Sequence, residues 1–128
     1  MCIYPCQPQE ELIRFLFDHS IVPVAYSPIG RIGSTMGPVT TVNMFDDSLI
    51  RYLSKKYNKT PTQILLAWGL SRGYPVIPKA SSLKHQKENL AALDFRLLKE
   101  NVDSITGRFT KLPPLFPHTS DNKYTIFA

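Results

Sequence analysis

The feature that most constrains the fold is an alternation of short apolar runs with helix-forming segments. Ile21 to Ala25 is one such run and Tyr74 to Ile77 is the other, and each is followed by a turn and then by further helix. Runs this short and continuously apolar are typical of strands that are covered on both faces. The alternation predicts an α/β fold with a parallel sheet.

Helix signals around these runs complete the predicted order. Thr60-Pro61-Thr62-Gln63 combines a threonine cap, a proline at the first helical position and a glutamine that closes a capping box. The helix that follows is apolar around much of its circumference, which predicts deep burial. Further helices are predicted from Pro8 to about Asp18, from Asp46 or Asp47 to Tyr57 with Asn58 as a left-handed stop, from Leu83 to Ala92, and from Leu98 to Ile105.

The composition excludes several classes of protein. A chain of 128 residues with 43% hydrophobic residues can bury one core, and no stretch approaches the roughly 20 apolar residues of a membrane helix. Without a signal-peptide pattern, a cytoplasmic location is expected. Two cysteines, Cys2 and Cys6, and three scattered histidines predict neither a disulfide scaffold nor a metal site.

The net charge of +5 indicates an anionic partner, which could be nucleic acid, a membrane surface or a phosphorylated small molecule. Basic side chains cluster directly after the second apolar run, beside Ser81 and Ser82. Positive charge is unfavourable at a helix N-terminus, so the pattern favours a bound anion there. The alternative is an ordinary solvated helix face. The cluster consists of Lys79, Lys84, His85 and Lys87.

Tyr26 is the second candidate ligand residue. It leaves the first apolar run into the turn Ser27-Pro28-Ile29-Gly30, where an aromatic ring can meet a planar ligand and glycine lets the backbone approach. A tyrosine at a strand end can equally be part of the core. Residues 31–44 contain glycine, proline and threonine without a period, and they predict a loop long enough to be functional.

With both loops considered, the chain resembles the aldo-keto reductases. The resemblance spans about residues 2–105 and rests on three blocks in the family's order. They are Gln9-Glu10-Glu11-Leu12-Ile13 leading to Val24-Ala25-Tyr26-Ser27-Pro28-Ile29-Gly30, then Lys59 to Trp68, then Val76-Ile77-Pro78-Lys79 through Glu88-Asn89 to Leu93-Asp94-Phe95.

The resemblance implies a (β/α)8 TIM barrel, of which this chain would supply the C-terminal part. Residues 1–106 would run from the end of strand six through helix eight, and residues 107–128 would form a tail and substrate-side loop. The family binds NADP(H) across the C-terminal ends of its strands, where barrels of this class often hold phosphate.

Individual roles follow from the resemblance. Tyr26 would stack on the nicotinamide ring, and Lys79 would favour NADPH over NADH. His85 stands where the family often has an arginine, which predicts weaker or more pH-dependent binding of the 2′-phosphate. The remaining expected contacts are Ser27, Ile29 and Arg31 to the pyrophosphate, Ser81 and Ser82 to the 2′-phosphate, Glu88 and Asn89 to the adenine, and Phe109 and Phe116 to the substrate, unless these two pack in the tail.

The family's catalytic aspartate, tyrosine, lysine and histidine lie in its earlier half, and no position here matches them. The expected function is therefore the cofactor-holding part of an NADPH-dependent oxidoreductase that reduces aldehydes or ketones to alcohols, with a small-molecule carbonyl as the partner. One alternative is a non-catalytic NADP(H)-binding or interaction fragment. Another is nucleic-acid binding through the basic cluster, which the lack of a reading helix disfavours. The oligomeric state is left open.

Overall fold

A computed structural model of the chain describes residues 1–30 and 43–112. Most of the predicted loop and most of the predicted tail lie outside these described residues. The elements in chain order are α1 (Glu10–Asp18), β1 (Ala25–Tyr26), a 3-10 helix (Met44–Asp46), α2 (Ser48–Tyr57), α3 (Pro61–Ser71), β2 (Val76–Ile77), α4 (Leu83–Leu90), a second 3-10 helix (Ala91–Asp94) and α5 (Lys99–Phe109).

The two strands pair in parallel, which confirms the predicted α/β arrangement. Tyr26 lies opposite Ile77, so both strands end at the same edge of the sheet. On the other side of β1, Cys2 forms an isolated parallel bridge to Tyr26, and the Met1 carbonyl accepts a hydrogen bond from the Tyr26 amide at 3.0 Å. Tyr26 is therefore held between two neighbouring chain segments.

Both strands are shorter than the apolar runs suggested. Only the end of the first run is in β1, because Pro23 has no amide hydrogen and cannot continue a ladder. Pairing begins where the Ala25 amide donates to the Pro75 carbonyl at 2.9 Å. The prediction of a strand buried on both faces is wrong for the start of this run, since Val22 is 61% exposed.

The predicted boundaries of α2 and α3 are confirmed. Asp47 caps α2 by accepting a hydrogen bond from the Leu49 amide at 2.9 Å, and Asn58 ends the helix with φ 51° and ψ 48°. At the start of α3 the Thr60 hydroxyl accepts from the Gln63 amide at 3.3 Å, while the Gln63 side chain accepts from the Thr60 amide at 3.0 Å. These two bonds form a complete capping box.

Helix α3 is at the centre of the hydrophobic core. All residues from Gln63 to Gly69 are buried, as the apolar circumference of this helix predicted. Gly69 faces β2 so closely that a Cβ at this position would lie only 2.8 Å from Val76 Cγ1. This close approach fixes β2, and with it the edge of the sheet, against α3.

Helix α5 is longer than the sequence predicted. It continues through Gly107 to Phe109, so the expected extended tail does not begin at Gly107. The extension follows from packing, because Ile105 and Phe109 lie one turn apart and are both 0% exposed. Leu98 provides no side-chain cap; instead its amide donates to the Tyr57 hydroxyl at 3.1 Å, which anchors the start of α5 to α2.

Across residues 1–30 and 43–112, no helix has the length and apolar character needed to cross a membrane. The same residues contain no group of three histidine, cysteine, aspartate or glutamate side chains able to hold a metal ion. Cys2 and Cys6 are buried free thiols, and burial raises the pKa of Cys6 to about 11. The Cys6 thiol therefore stays protonated at neutral pH.

Candidate functional site

Most residues singled out in the sequence follow the carboxyl ends of the two strands. Tyr26 is the last residue of β1, Ile77 is the last residue of β2, and the two are paired. The chain therefore leaves both strands at one edge. We term this edge the strand-end face and define it by residues 26–30 and 78–89, which include every predicted cofactor contact except Arg31.

The Tyr26 ring lies at the surface of this face. Although its backbone is part of the sheet, Tyr26 is 47% exposed, whereas the preceding Ala25 is 0% exposed. Successive strand side chains point to opposite faces, so burial of Ala25 directs the tyrosine ring away from the core. The exposure argues against the core alternative and leaves the ring available to stack on a planar ligand.

The turn after Tyr26 is tight and left-handed at two positions. Ser27 has φ 49° and Gly30 has φ 71°, and the Gly30 amide donates to the Ser27 carbonyl at 2.8 Å. A Cβ at Gly30 would lie 3.4 Å from the Tyr4 ring, so both the conformation and the space favour glycine. Ser27 and Ile29 are partly exposed. Arg31 lies outside the described residues.

The start of α4 carries the positive charge of the strand-end face. Ser82 caps the helix by accepting a hydrogen bond from the His85 amide at 3.2 Å, and residues 81–87 are all exposed. The first turn contains no acidic residue. Unpartnered amides and positive side chains together attract an anion. Within the described part of the chain, no ion pair involves Lys79, Lys84, His85 or Lys87.

Glu88 and Asn89 lie at the inner side of α4 and are partly buried. The Thr60 hydroxyl donates to the Glu88 carboxylate, and the Gln63 side-chain amide donates to the Glu88 carbonyl at 3.1 Å. A carboxylate has several lone pairs, so Glu88 retains capacity to accept from a ligand. The sequence identified Thr60 and Gln63 only as a helix start, because no local signal reveals their partner farther along the chain.

A groove of about 460 Å³ beside α4 was not predicted. It brings together side chains from α3, β2 and the middle and C-terminal end of α4, and its lining is mainly apolar. Asn89 lines it, which places this predicted adenine contact next to apolar surface. The other lining residues that define the groove are Leu70, Val76, Pro78, Leu90 and Leu93.

Phe109, one of the two predicted substrate contacts, does not lie on the strand-end face. Phe109 is 0% exposed and belongs to the hydrophobic core cluster, where it packs at the end of α5. A side chain buried in this way offers no surface to a substrate, so the packing alternative fits Phe109. Phe116 lies outside the described residues.

The described architecture is that of part of an α/β barrel, and comparison with known proteins identifies the family. The Aldo/keto reductase family model matches residues 1–108. A crystal structure of an aldo/keto reductase from Brucella melitensis has a TM-score of 0.69 and 30% sequence identity to this chain, covering 83% of this chain and 36% of that one. The chain belongs to the aldo/keto reductase family, and its fold is part of a (β/α)8 barrel.

Curated relatives show the same partial coverage. The NADP-dependent D-sorbitol-6-phosphate dehydrogenase of Malus domestica is 34% identical over 102 residues, which are 80% of this chain and 33% of the relative. The glycerol 2-dehydrogenase (NADP(+)) of Hypocrea jecorina is 34% identical over 119 residues, which are 89% of this chain and 37% of the relative. The methylglyoxal reductase DkgA of Yersinia pestis is 35% identical over 104 residues, which are 81% of this chain and 35% of the relative. The chain thus spans about a third of the length of these relatives.

Proposed function

We propose that this chain forms the cofactor-binding part of an oxidoreductase that uses NADPH to reduce aldehydes or ketones to alcohols. The observation that carries the proposal is the parallel pairing of β1 and β2, because it brings the exposed Tyr26 ring and the basic start of α4 to one face. Two relatives have NADP in their names and a third is named a methylglyoxal reductase, which supports this cofactor and a carbonyl substrate.

The side of the face next to β1 fits the nicotinamide and pyrophosphate parts of the cofactor. The half-exposed Tyr26 ring offers a flat apolar surface for stacking on the nicotinamide ring. The left-handed Ser27 and Gly30 keep the turn compact, which suits a close approach of the pyrophosphate to the backbone, beside Ile29. When bound, NADPH supplies the hydride for the substrate carbonyl carbon. Tyr26 would orient the ring for that transfer.

The side of the face next to β2 fits the 2′-phosphate and the adenine. Lys79, Ser81 and His85 surround the N-terminus of α4, where exposed donors and positive charge favour a phosphate. Glu88 and Asn89 would contact the adenine farther along the helix. Since only NADPH carries the 2′-phosphate, neutralisation by Lys79 would favour NADPH over NADH.

Binding of both cofactors, measured through quenching of protein fluorescence, tests the proposal. We expect tighter binding of NADPH than of NADH, and Lys79→Ala should weaken NADPH binding by about tenfold or more because a charge-assisted contact is lost. Lys55→Ala is the matched control, since Lys55 is exposed in the last turn of α2 and outside the strand-end face. Equal weak binding of both cofactors, unchanged by Lys79→Ala, would contradict the proposal.

A gain-of-affinity variant tests the same face in the other direction. His85→Arg introduces a planar fork of donors that can bind a phosphate through two hydrogen bonds. We expect it to tighten NADPH binding by about three- to tenfold while leaving NADH binding unchanged. An equal change for both cofactors would place His85 away from the 2′-phosphate.

Turnover distinguishes the proposal from its alternative. NADPH oxidation by the 128-residue chain in the presence of a small aldehyde would support an enzyme active on its own, whereas binding without oxidation would favour an NADP(H)-binding or interaction part. A cytoplasmic location, expected from the sequence, stays a prediction.

A further inference from the structure

Helix α4 carries much of the candidate ligand site but buries none of its own side chains. Its two leucines, Leu83 and Leu90, are 65% and 68% exposed. A short helix without a buried apolar face has little packing to hold it in place, since most helical stability in proteins comes from such a face. The position of Ser82 and His85 must therefore depend on other contacts.

Two hydrogen bonds from the start of α3 provide these contacts. The Thr60 hydroxyl donates to the Glu88 carboxylate. The Gln63 side-chain amide donates to the Glu88 backbone carbonyl at 3.1 Å, close to the C-terminal end of α4. The C-terminal half of α4 is thus bonded to the capping box of α3. We term these two bonds the α3–α4 bridge.

Gln63 is well placed for this task because it is one of the few buried polar side chains among the described residues, with 8% exposure. One end of its amide accepts from the Thr60 backbone and closes the cap, while the other end donates to α4. An apolar residue here would remove the partners of two backbone groups in a partly buried environment, which is costly. A glutamate would keep the cap but lose the donor to α4.

We infer that Thr60 and Gln63 are positioning residues for the ligand site: they hold α4 so that Ser82, His85 and Glu88 meet the ligand together. Thr60 and Gln63 act through Glu88 and have no assigned contact with the cofactor. Since the ligand is NADPH, the role of the two residues rests on the proposed function, whereas the bridge itself does not depend on a ligand.

Gln63→Glu, studied at pH 8, removes the bond from residue 63 to α4 but keeps the capping bond to the Thr60 amide. We expect amide hydrogen exchange of residues 83–90 to accelerate by about tenfold, and the NADPH dissociation constant to rise by about fivefold, because one hydrogen bond to α4 is lost while the acceptor for the Thr60 amide remains. Gln63→Met removes both hydrogen bonds of the Gln63 side chain, to the Thr60 amide and to the Glu88 carbonyl, without adding a charge. We expect the same effects from it, and it replaces the glutamate variant if that variant does not fold.

Two control variants complete the experiment. Thr60→Ser keeps the hydroxyl and should behave as the unchanged chain in both measurements. Thr106→Val removes the acceptor for the Trp68 indole NH, a 3.0 Å bond that links the same helix α3 to α5 rather than to α4. Thr106→Val should lower the stability of the whole chain. The exchange rate of residues 83–90, compared with that of the other helices, and the NADPH dissociation constant should both stay within about twofold of the original values.

The outcomes separate the bridge from the proposed function. Unchanged exchange of residues 83–90 in both Gln63 variants would overturn the inference whatever the ligand. Faster exchange with unchanged NADPH binding, while Lys79→Ala still weakens that binding, would overturn the positioning role and leave the proposed function standing. If Lys79→Ala has no effect and NADPH is not preferred, the proposed function fails, and the positioning role fails with it even where exchange supports the bridge.

Discussion

Helices α3 and α4 precede and follow strand β2 in the chain, yet they differ in burial, capping and exposed charge. Helix α3 buries all residues from Gln63 to Gly69, has a complete capping box and packs on β2 without room for a Cβ at Gly69. Helix α4 buries none, has a single side-chain cap from Ser82 and exposes its basic residues. One helix fixes the end of the strand and the other presents side chains beside it.

The difference shows how a small α/β unit separates stability from recognition. Side chains that bind a ligand must remain accessible, so they contribute little buried area, and the elements that carry them belong to the less stable part of a structure. Their geometry is then supported by a neighbour that is firmly packed. In this chain α3 is that neighbour, since it contacts β2 through Gly69 and α4 through Gln63.

The largest expected effect compares two leucines, one in each helix. Leu65 in α3 is 0% exposed and Leu83 in α4 is 65% exposed. Leu65→Ala should lower the free energy of unfolding by about 2–5 kcal/mol through lost burial and a cavity, whereas Leu83→Ala should change it by less than about 0.5 kcal/mol. Urea unfolding followed by tryptophan fluorescence measures both. Similar losses for the two variants would mean that α4 is packed as firmly as α3.

Two helical glycines provide the next comparison. Gly69→Ala places a Cβ 2.8 Å from Val76 Cγ1, a stiff branched side chain, so we expect a loss of about 1–3 kcal/mol in unfolding free energy. Gly107→Ala in α5 meets no atom within 4 Å and should instead raise stability by about 0.5–1 kcal/mol, as alanine does in an open helical position. Thermal unfolding of both variants measures these changes in stability. Stabilisation by Gly69→Ala would rule out the close contact between α3 and β2.

The features predicted correctly from the sequence are those set by neighbouring residues. The capping box at Thr60 and the left-handed stop at Asn58 depend on four or five consecutive residues, and both were predicted at the right positions. Parallel pairing also followed from local signals, because short apolar runs that alternate with helices leave few other arrangements. The placement of Tyr26 at a strand end is a consequence of that order.

The features missed are contacts between residues far apart in the chain. The Tyr57 hydroxyl replaces the absent cap of α5 by accepting from the Leu98 amide, and Ile105 with Phe109 carries that helix past Gly107 into the core. No pattern near residue 98 or 107 reveals these partners. The bond from Gln63 to α4 is of the same kind, since the glutamine is fully explained locally by its cap.

Loss of the α4 cap should have a smaller and more local effect. Ser82→Ala removes the acceptor for the His85 amide, which costs helix stability of about 1 kcal/mol. Because α4 buries no side chain, we expect the amides of the first turn of α4 to exchange faster while global unfolding in urea changes by less than about 0.5 kcal/mol. Hydrogen exchange resolved by residue measures this. A full 1 kcal/mol loss of global stability would show that α4 unfolds together with α3.

The smallest effect at neutral pH concerns Tyr74, whose ring lies against the Gly69 side of α3. Burial raises the pKa of Tyr74 to about 12 from an ordinary value of 10.0, although the charge and proximity of the Arg72 guanidinium partly offset this. Within the described residues, no hydrogen bond of ordinary geometry reaches its buried hydroxyl. Tyr74→Phe should therefore change the unfolding free energy at pH 7 by less than about 0.5 kcal/mol, or raise it slightly.

The unfolding free energies of the Tyr74→Phe variant and of the original chain should diverge as the pH rises. Above pH 10 the unfolded tyrosine loses its proton, while the folded one keeps it until about pH 12, so stability falls across this interval. Tyr74→Phe removes that part of the loss. Cys6, with its pKa raised from 9.0 to about 11 by burial, continues to lower stability between these values in both chains. Urea unfolding at pH 7, 9 and 11 measures the difference. Parallel pH dependence of the two chains would mean that Tyr74 is accessible to water, and that the side of α3 facing β2 is less closely packed than the contact at Gly69 requires.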